Sequence, residues 1–109
     1  MKYYKKSLGQ NFLTDRNIIK KILSMVKIKN ENIIEIGPGG GALTDEIIKM
    51  SPKKLILIEK DNSLAEQLKL RYFGDKRISI INCDILGFNL ENFSNENYII
   101  FGNLPYNIS

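Results

Sequence analysis

Residues 32–44, NIIEIGPGGGALT, run from an apolar strand through a glycine-rich loop into the start of a helix. Glycine at positions 37, 39 and 41 lets the backbone turn sharply and lets a ligand approach where a Cβ would collide. The helix that follows offers unpaired N–H groups and the positive end of its dipole. The pattern Gly37-x-Gly39-x-x-Ala42 fits a dinucleotide-binding fingerprint, but it also fits a strand-to-helix turn that merely needs glycine.

The alternation of strand and helix continues along the chain. Further strands are predicted at 54–59, 77–82 and 97–102, and helices at 15–27, 42–50 and 63–72. Nearly continuous apolar strands separated by helices are typical of a parallel sheet that is covered on both faces. The predicted fold class is therefore α/β, a Rossmann-like parallel sheet of four strands with helices on both faces. Ligands of such sheets bind beyond the carboxyl ends of the strands, where the strand order switches.

Acidic residues stand at two of these strand ends. Glu59 follows Gly37 by 22 residues, and a carboxylate at about that spacing can accept both hydroxyls of a ribose. Asp84 follows the third predicted strand, where an acceptor can take the exocyclic amine of an adenine. The alternatives are an exposed acid before a helix for Glu59 and an ordinary turn residue for Asp84. The glycine loop and Glu59 together favour a nucleoside cofactor without choosing between NAD and S-adenosylmethionine.

The fourth predicted strand runs into Asn103, Leu104, Pro105 and Tyr106. Asn and Pro are common in turns, so this stretch needs no function. However, a Tyr ring beside two hydrogen-bond acceptors is also how an extruded base is held, with the ring stacked on the base. The sequence leaves both interpretations open.

Composition excludes several kinds of chemistry. The chain has 109 residues, no His and one Cys. Ser–His and Cys–His catalysis are therefore excluded, and a zinc site is nearly so. Cys83 is more simply a small apolar residue than a nucleophile. The basic N-terminus lacks the apolar segment of a signal peptide, and no apolar run approaches the length of a membrane span, so a cytoplasmic location is expected.

The net charge of +4 is unevenly distributed. Residues 1–29 carry eight Lys and Arg residues against Asp15 alone, whereas the remainder of the chain is net acidic. A basic arm on an acidic domain indicates a polyanionic partner such as RNA, because Lys and Arg contacts to phosphates supply most non-specific nucleic-acid affinity. A solvated, lysine-rich start of the chain explains the charge equally well.

Five motifs taken together resemble the ribosomal RNA adenine N6-dimethyltransferase family, and most closely its bacterial small-subunit branch. They are KSLGQNFLTD (6–15), EIGPGGGALT (35–44), IEKD (58–61), NCDIL (82–86) and FGNLPYNIS (101–109). They occur in the family's order and extend over essentially the whole chain. The resemblance implies a methyltransferase fold, S-adenosylmethionine as cofactor and an adenine N6 of ribosomal RNA as methyl acceptor.

The resemblance also implies roles for individual residues. Asn11, Leu13 and Gly37 would lie beside the methionine portion of the cofactor. Glu59 would bind the ribose hydroxyls, and Asp84 the amine of the cofactor adenine.

The remaining implied roles concern the methyl acceptor. Asn103 would lie between cofactor and target and bind the target N6, and the backbone carbonyl of Leu104 or Pro105 would take its second hydrogen. Tyr106 would stack on the flipped base. The implied partner is a precursor of the small ribosomal subunit; a monomer without metal is expected.

The chain departs from the family in length. Family members continue with further strands and a helical domain, so 1–30 is interpreted as a basic segment with a helix and 31–109 as the N-terminal half of the cofactor-binding domain. The strand at 97–102 is then expected to have a bare outer edge. A fragment of a longer protein, or a truncated gene product that is inactive alone, is expected.

Three alternatives stay open. A large-subunit dimethyltransferase of the macrolide-resistance type shares all five motifs. A nicotinamide dehydrogenase explains Glu59 and the glycine loop but leaves QNFL and NLPY without a role. A truncated remnant that binds RNA through its basic arm, without catalysis, is the third.

Overall fold

The chain forms one parallel sheet with helices. The computed structural model describes residues 2–6, 16–87 and 97–103, with side chains at 16–87 and 97–102. The strands are β1 (Lys2–Lys6), β2 (Asn32–Ile36), β3 (Lys54–Glu59), β4 (Ile78–Asn82) and β5 (Tyr98–Asn103). The helices are α1 (Arg16–Leu23), α2 (Ala42–Lys49) and α3 (Asn62–Arg71), and a 3-10 turn spans Ile85–Gly87.

All strand pairs are parallel, in the order β1-β5-β2-β3-β4. The chain moves outward from β2 through β3 to β4 and then returns to the other side of β2 as β5. The strand order therefore switches between β2 and β5. The predicted parallel α/β sheet is confirmed, and its four predicted strands are all present.

A fifth strand, β1, was not predicted. It pairs with β5 from Lys2 opposite Ile99 to Lys6 opposite Asn103. The expectation of a bare outer edge on the strand at 97–102 is therefore wrong. The sequence KYYKK has no alternation of apolar and polar residues, so its extended structure depends on hydrogen bonds to a strand that lies over 90 residues away.

The core has two apolar clusters on opposite faces of the sheet. Successive residues of a strand point to opposite faces, and in β2 Ile33 joins the first cluster whereas Ile34 joins the second. Helices α1 and α2 pack on the first cluster through buried residues such as Ile19 and Ile47. Each fully buried Ile side chain contributes about 1.5–3 kcal/mol. Among the described residues, the members of the second cluster come from the sheet, with Cys83 and Ile85 packed at its border.

Helix α1 ends earlier than the periodicity predicts. The apolar spacing favours a helix to Lys27, but the helix stops at Leu23. The Ser24 N–H still donates four residues back, to Lys20 O, but the N–H groups of Met25 and Val26 donate three residues back, to Ile22 O and Leu23 O, as in a tight final turn. Val26 and Ile28 stay buried in the first cluster, so the apolar pattern reports burial correctly beyond the end of the helix.

The described helices include none that is both long and apolar enough to cross a bilayer.

Candidate functional site

The glycine loop, Glu59, Asp84 and the backbone of Asn103 lie at the carboxyl edge of the sheet. Parallel pairing sets Ile36 opposite Ile58 on one side and opposite Gly102 on the other. Asn103 is one residue beyond Gly102 and therefore ends β5 alongside the start of the glycine loop. Gly37, Glu59 and the backbone of Asn103 thus lie around the point where the strand order switches, as the general rule for such sheets expects, and Asp84 follows the outer strand β4.

The glycine loop needs glycine at three of its positions. The φ angles of Gly37, Gly39 and Gly41 are 70°, 57° and 90°, in the left-handed region that favours glycine. The Gly37 N–H donates to Ile58 O at 2.8 Å, and the Gly41 N–H donates to Pro38 O at 3.0 Å. The loop is therefore a defined turn that leads directly into α2.

Glu59 is buried at the end of β3, with 5% of its surface exposed. The Gly39 N–H donates to its Oε1 at 3.1 Å, and the Asp61 N–H donates to its Oε2 at 3.0 Å. Each carboxylate oxygen can accept a second hydrogen bond. The carboxylate is thus fixed between the glycine loop and the start of α3, with acceptor capacity left for two hydroxyl groups.

Asn82 supports Glu59 from the neighbouring strand, and the sequence analysis did not identify it. Its side-chain amide donates to Glu59 O at 2.9 Å and to Lys60 O at 3.3 Å. The Cys83 N–H also donates to Glu59 O, at 3.1 Å. The available signal was a polar residue at the end of the predicted strand RISIIN, where site residues of such sheets are expected.

Asp84 is exposed and opens the 3-10 turn. Its Oδ1 accepts from the Leu86 N–H at 2.9 Å, and its backbone carbonyl accepts from the Gly87 N–H at 3.0 Å. Oδ1 therefore has the local hydrogen bond of an ordinary turn residue. Within the described parts of the chain, Oδ2 makes no hydrogen bond, so it can accept one from a ligand at this edge.

Cys83 does not have the surroundings of a nucleophile. Burial, together with the nearby Asp84 carboxylate, raises the pKa of the Cys83 thiol above its ordinary value. A reactive thiol needs the opposite shift, which agrees with the interpretation of Cys83 as a small apolar residue.

Several predicted site residues lie outside the described residues. These are Asn11, Leu13, Pro105 and Tyr106, together with the side chain of Asn103. The roles that the resemblance implies for them stay predictions.

A buried acid in β2 was also missed. Glu35 is 1% exposed, and the Thr44 hydroxyl donates to its Oε1 at 2.6 Å. The bond ties the strand before the glycine loop to the helix after it. A Glu inside the apolar run NIIEIG was a visible signal, because buried carboxylates are rare unless they have partners.

The comparisons with known proteins agree with this geometry. A family model described as "Ribosomal RNA adenine dimethylase" matches residues 1–109. Two curated relatives are named "Ribosomal RNA small subunit methyltransferase A". The one from Pelagibacter ubique is 52% identical over 105 residues, which is 96% of this chain and 39% of the relative. The one from Mycoplasmopsis synoviae is 45% identical, over 96% of this chain and 40% of the relative.

Solved structures show the same fold. The 23S rRNA methyltransferase ErmE has a TM-score of 0.74 at 30% identity, over 88% of this chain and 38% of that chain. A dimethyladenosine transferase from Plasmodium falciparum has a TM-score of 0.71 at 28% identity, over 87% of this chain and 34% of that chain. This chain thus spans about two fifths of the length of the curated relatives it matches. With a family match over its full length, the chain belongs to the ribosomal RNA adenine dimethylase family.

Proposed function

We propose that this chain is the cofactor-binding part of an enzyme that dimethylates adenine N6 in small-subunit ribosomal RNA. The observation that carries the proposal is the Glu59 carboxylate, fixed over the glycine loop with acceptor capacity left for two hydroxyls. Residues 31–109 would then be the N-terminal half of the cofactor-binding domain, preceded by a basic segment at 1–30.

The described residues fit S-adenosylmethionine. Glu59 would accept hydrogen bonds from the ribose hydroxyls. At the adjacent strand end, Asp84 Oδ2 would accept a hydrogen bond from the adenine amine. A Cβ at Gly39 or Gly40 would meet no other atom within 4 Å, so the loop leaves open space where the methionine portion would lie. Asn11 and Leu13 would complete that side of the site. When bound, this cofactor supplies a methyl group on a positively charged sulfur.

The protein's own groups would prepare the methyl acceptor. An adenine N6 is a poor nucleophile because its lone pair is delocalised into the ring. The side-chain oxygen of Asn103 and the backbone carbonyl of Leu104 or Pro105 would each accept a hydrogen bond from one N6–H group. These two bonds would favour a more tetrahedral geometry at N6. Tyr106 would stack on the extruded base. Positioning then supplies much of the acceleration. The N6 lone pair would form the new N–C bond as the S–C bond breaks and leaves a neutral thioether, and the acidic proton of the resulting N6 cation would pass to solvent water, so no His base is needed.

Sequence similarity favours the small-subunit substrate over the large-subunit one. Curated relatives named for the small subunit reach 45–52% identity, whereas the structure named for 23S rRNA is 30% identical. The partner would be a precursor of the small ribosomal subunit, contacted in part by the basic arm at 1–29. A cytoplasmic monomer is the form that we propose.

Methyl transfer to immature small ribosomal subunits tests the proposal. We expect a full-length protein that carries this chain to transfer two methyl groups to one adenine N6, and the 109-residue chain alone to transfer none. Asn103→Ala in the full-length protein should abolish transfer with little change in cofactor affinity.

Turnover by residues 1–109 alone would show that the catalytic unit is smaller than proposed. Unchanged turnover in Asn103→Ala would remove Asn103 from its assigned role. Methyl groups found in large-subunit RNA instead would overturn the substrate assignment.

A further inference from the structure

The glycine loop is also held by residues at the end of α3. Arg71 Nη1 donates to Gly40 O at 2.7 Å. Arg71 Nη2 donates to Asp45 Oδ2, and the Tyr72 hydroxyl donates to Asp45 Oδ1 at 2.8 Å. Asp45 lies in the first turn of α2. We call Arg71, Tyr72 and Asp45 the loop brace.

The loop brace and Glu59 hold neighbouring residues of one turn. Glu59 accepts from the N–H of Gly39, whereas Arg71 donates to the carbonyl of Gly40. The two hydrogen bonds therefore hold the backbone at both ends of the Gly39–Gly40 segment and restrict rotation of the peptide groups between them. A Cβ at Gly41 would lie 2.8 Å from Tyr72 Oη and 3.1 Å from Arg71 Nη1, which shows how closely the brace packs against the loop.

The chemistry of the brace makes it persistent. The Arg71 guanidinium donates both to Gly40 O in the loop and to Asp45 Oδ2 in α2. A planar guanidinium with several N–H donors bridges two such acceptors better than the single ammonium of a Lys does. The Tyr72 ring packs against the first apolar cluster. Burial, followed by the Asp45 carboxylate, raises the pKa of Tyr72 above its ordinary value, so its hydroxyl stays protonated and keeps donating. The Arg71 side chain is 48% exposed, so its charge pair alone contributes little to stability.

We propose that Arg71 and Tyr72 are positioning residues that hold the glycine loop in its cofactor-binding conformation. Arg71 bonds the loop directly at Gly40, and Tyr72 acts on it through Asp45 in the first turn of α2. The inference rests on the proposed function, because the ligand it concerns is the nucleoside cofactor of that site. A flexible loop must be ordered when the ligand binds, and that ordering weakens affinity.

Calorimetric titration of the chain with S-adenosylhomocysteine tests the inference. We expect Arg71→Ala to weaken binding about tenfold, which is within the range of one charge-assisted hydrogen bond. Arg71→Lys keeps the charge but cannot reach both acceptors, so it should recover only a small part of the loss. Tyr72→Phe keeps the buried ring and removes the hydroxyl; it should weaken binding severalfold. Lys69→Ala is the matched control, since Lys69 lies on the same helix and its ion pair among the described residues is with exposed Glu66.

Amide chemical shifts of the ligand-free variants separate positioning from general destabilisation. In Arg71→Ala the amides of Gly39, Gly40 and Gly41 should shift and broaden, whereas Gly74 should stay as in the unsubstituted chain. Full affinity for S-adenosylhomocysteine with unchanged loop shifts in both Arg71→Ala and Tyr72→Phe would overturn the inference. If the unsubstituted chain fails to bind S-adenosylhomocysteine, the proposed function fails as well. If the unsubstituted chain and both variants bind it with equal affinity, only the positioning role of the loop brace is rejected.

Discussion

At the scale of single residues, Glu59 combines burial with a double hydrogen bond from the backbone. Two N–H groups converge on one carboxylate and fix its orientation. The carboxylate is therefore held at a buried position where it can face a ligand. This makes Glu59 both a structural link between loop and helix and the main polar group of the site.

Replacing Glu59 should affect cofactor binding first. Glu59→Ala removes the acceptor that we propose for the two ribose hydroxyls, and we expect affinity for S-adenosylmethionine to fall by about 10- to 100-fold in a calorimetric titration. Glu59→Gln should bind the cofactor no more tightly than Glu59→Ala, because the side-chain NH2 of Gln would face the N–H donor of Gly39 or Asp61. The control is Glu66→Ala on the exposed side of α3. Equal affinity in Glu59→Ala and the control would remove Glu59 from the ribose role.

At the scale of the elements, Glu46 connects α1 to α2. It is buried, Lys49 Nζ donates to its Oε2 at 2.8 Å, and Arg16 Nη1 lies 3.5 Å from the same oxygen. The hydrogen bond from Lys49, with further attraction from Lys20 and Arg16, lowers the pKa of Glu46 below its ordinary value of 4.5. The charged form is therefore favoured in the folded state.

This pKa shift predicts a pH dependence of stability. Because the folded pKa of Glu46 is depressed, its contribution is fully present above the unfolded value and is lost as the pH falls through the folded value. We expect the free energy of unfolding in urea to decrease below about pH 4.5, and Glu46→Gln to reduce that decrease. Glu31→Gln, at a more exposed pair with Lys27, is the control. An identical acid dependence in Glu46→Gln and the unsubstituted chain would contradict this account.

Elements and site positions could be predicted from the sequence where the signal is local. The glycine loop, Glu59 and Asp84 each follow a continuous apolar strand, so chain order alone predicts that they share one edge. The strand β1 and the loop brace could not be predicted in this way. Lys2–Lys6 has no strand pattern of its own, and Arg71 meets Gly40 across 31 residues of sequence, a contact that depends on how α3 packs beside α2.

At the scale of the whole molecule, the first described residues of the basic arm, Lys2–Lys6, form a strand of the sheet. Its strand β1 pairs with β5, the strand that ends at Asn103. The register sets the backbone of Lys6 opposite Asn103, at the edge where the acceptor base is proposed to bind. This placement favours a direct role of the arm in RNA binding over a merely solvated start of the chain.

Charge removal in the arm tests this role. Changing Lys2, Lys5 and Lys6 to Gln should reduce the steepness of the slope of log affinity against log salt concentration by about two to three, if each contacts one phosphate of the RNA. Three exposed lysines outside the arm, Lys53, Lys60 and Lys76, make a control of equal charge. The measurement is RNA binding by the full-length protein across a salt series. An unchanged slope would leave the arm as solvated surface.

The central claim is that the switch point of this sheet binds S-adenosylmethionine, and a paired calorimetric titration tests it most directly. The chain is titrated separately with S-adenosylmethionine and with NADH under identical conditions. We expect saturable one-to-one binding of S-adenosylmethionine and no heat of binding from NADH, since a dehydrogenase leaves QNFL and NLPY without a role. Tight binding of NADH with no response to S-adenosylmethionine would contradict the account.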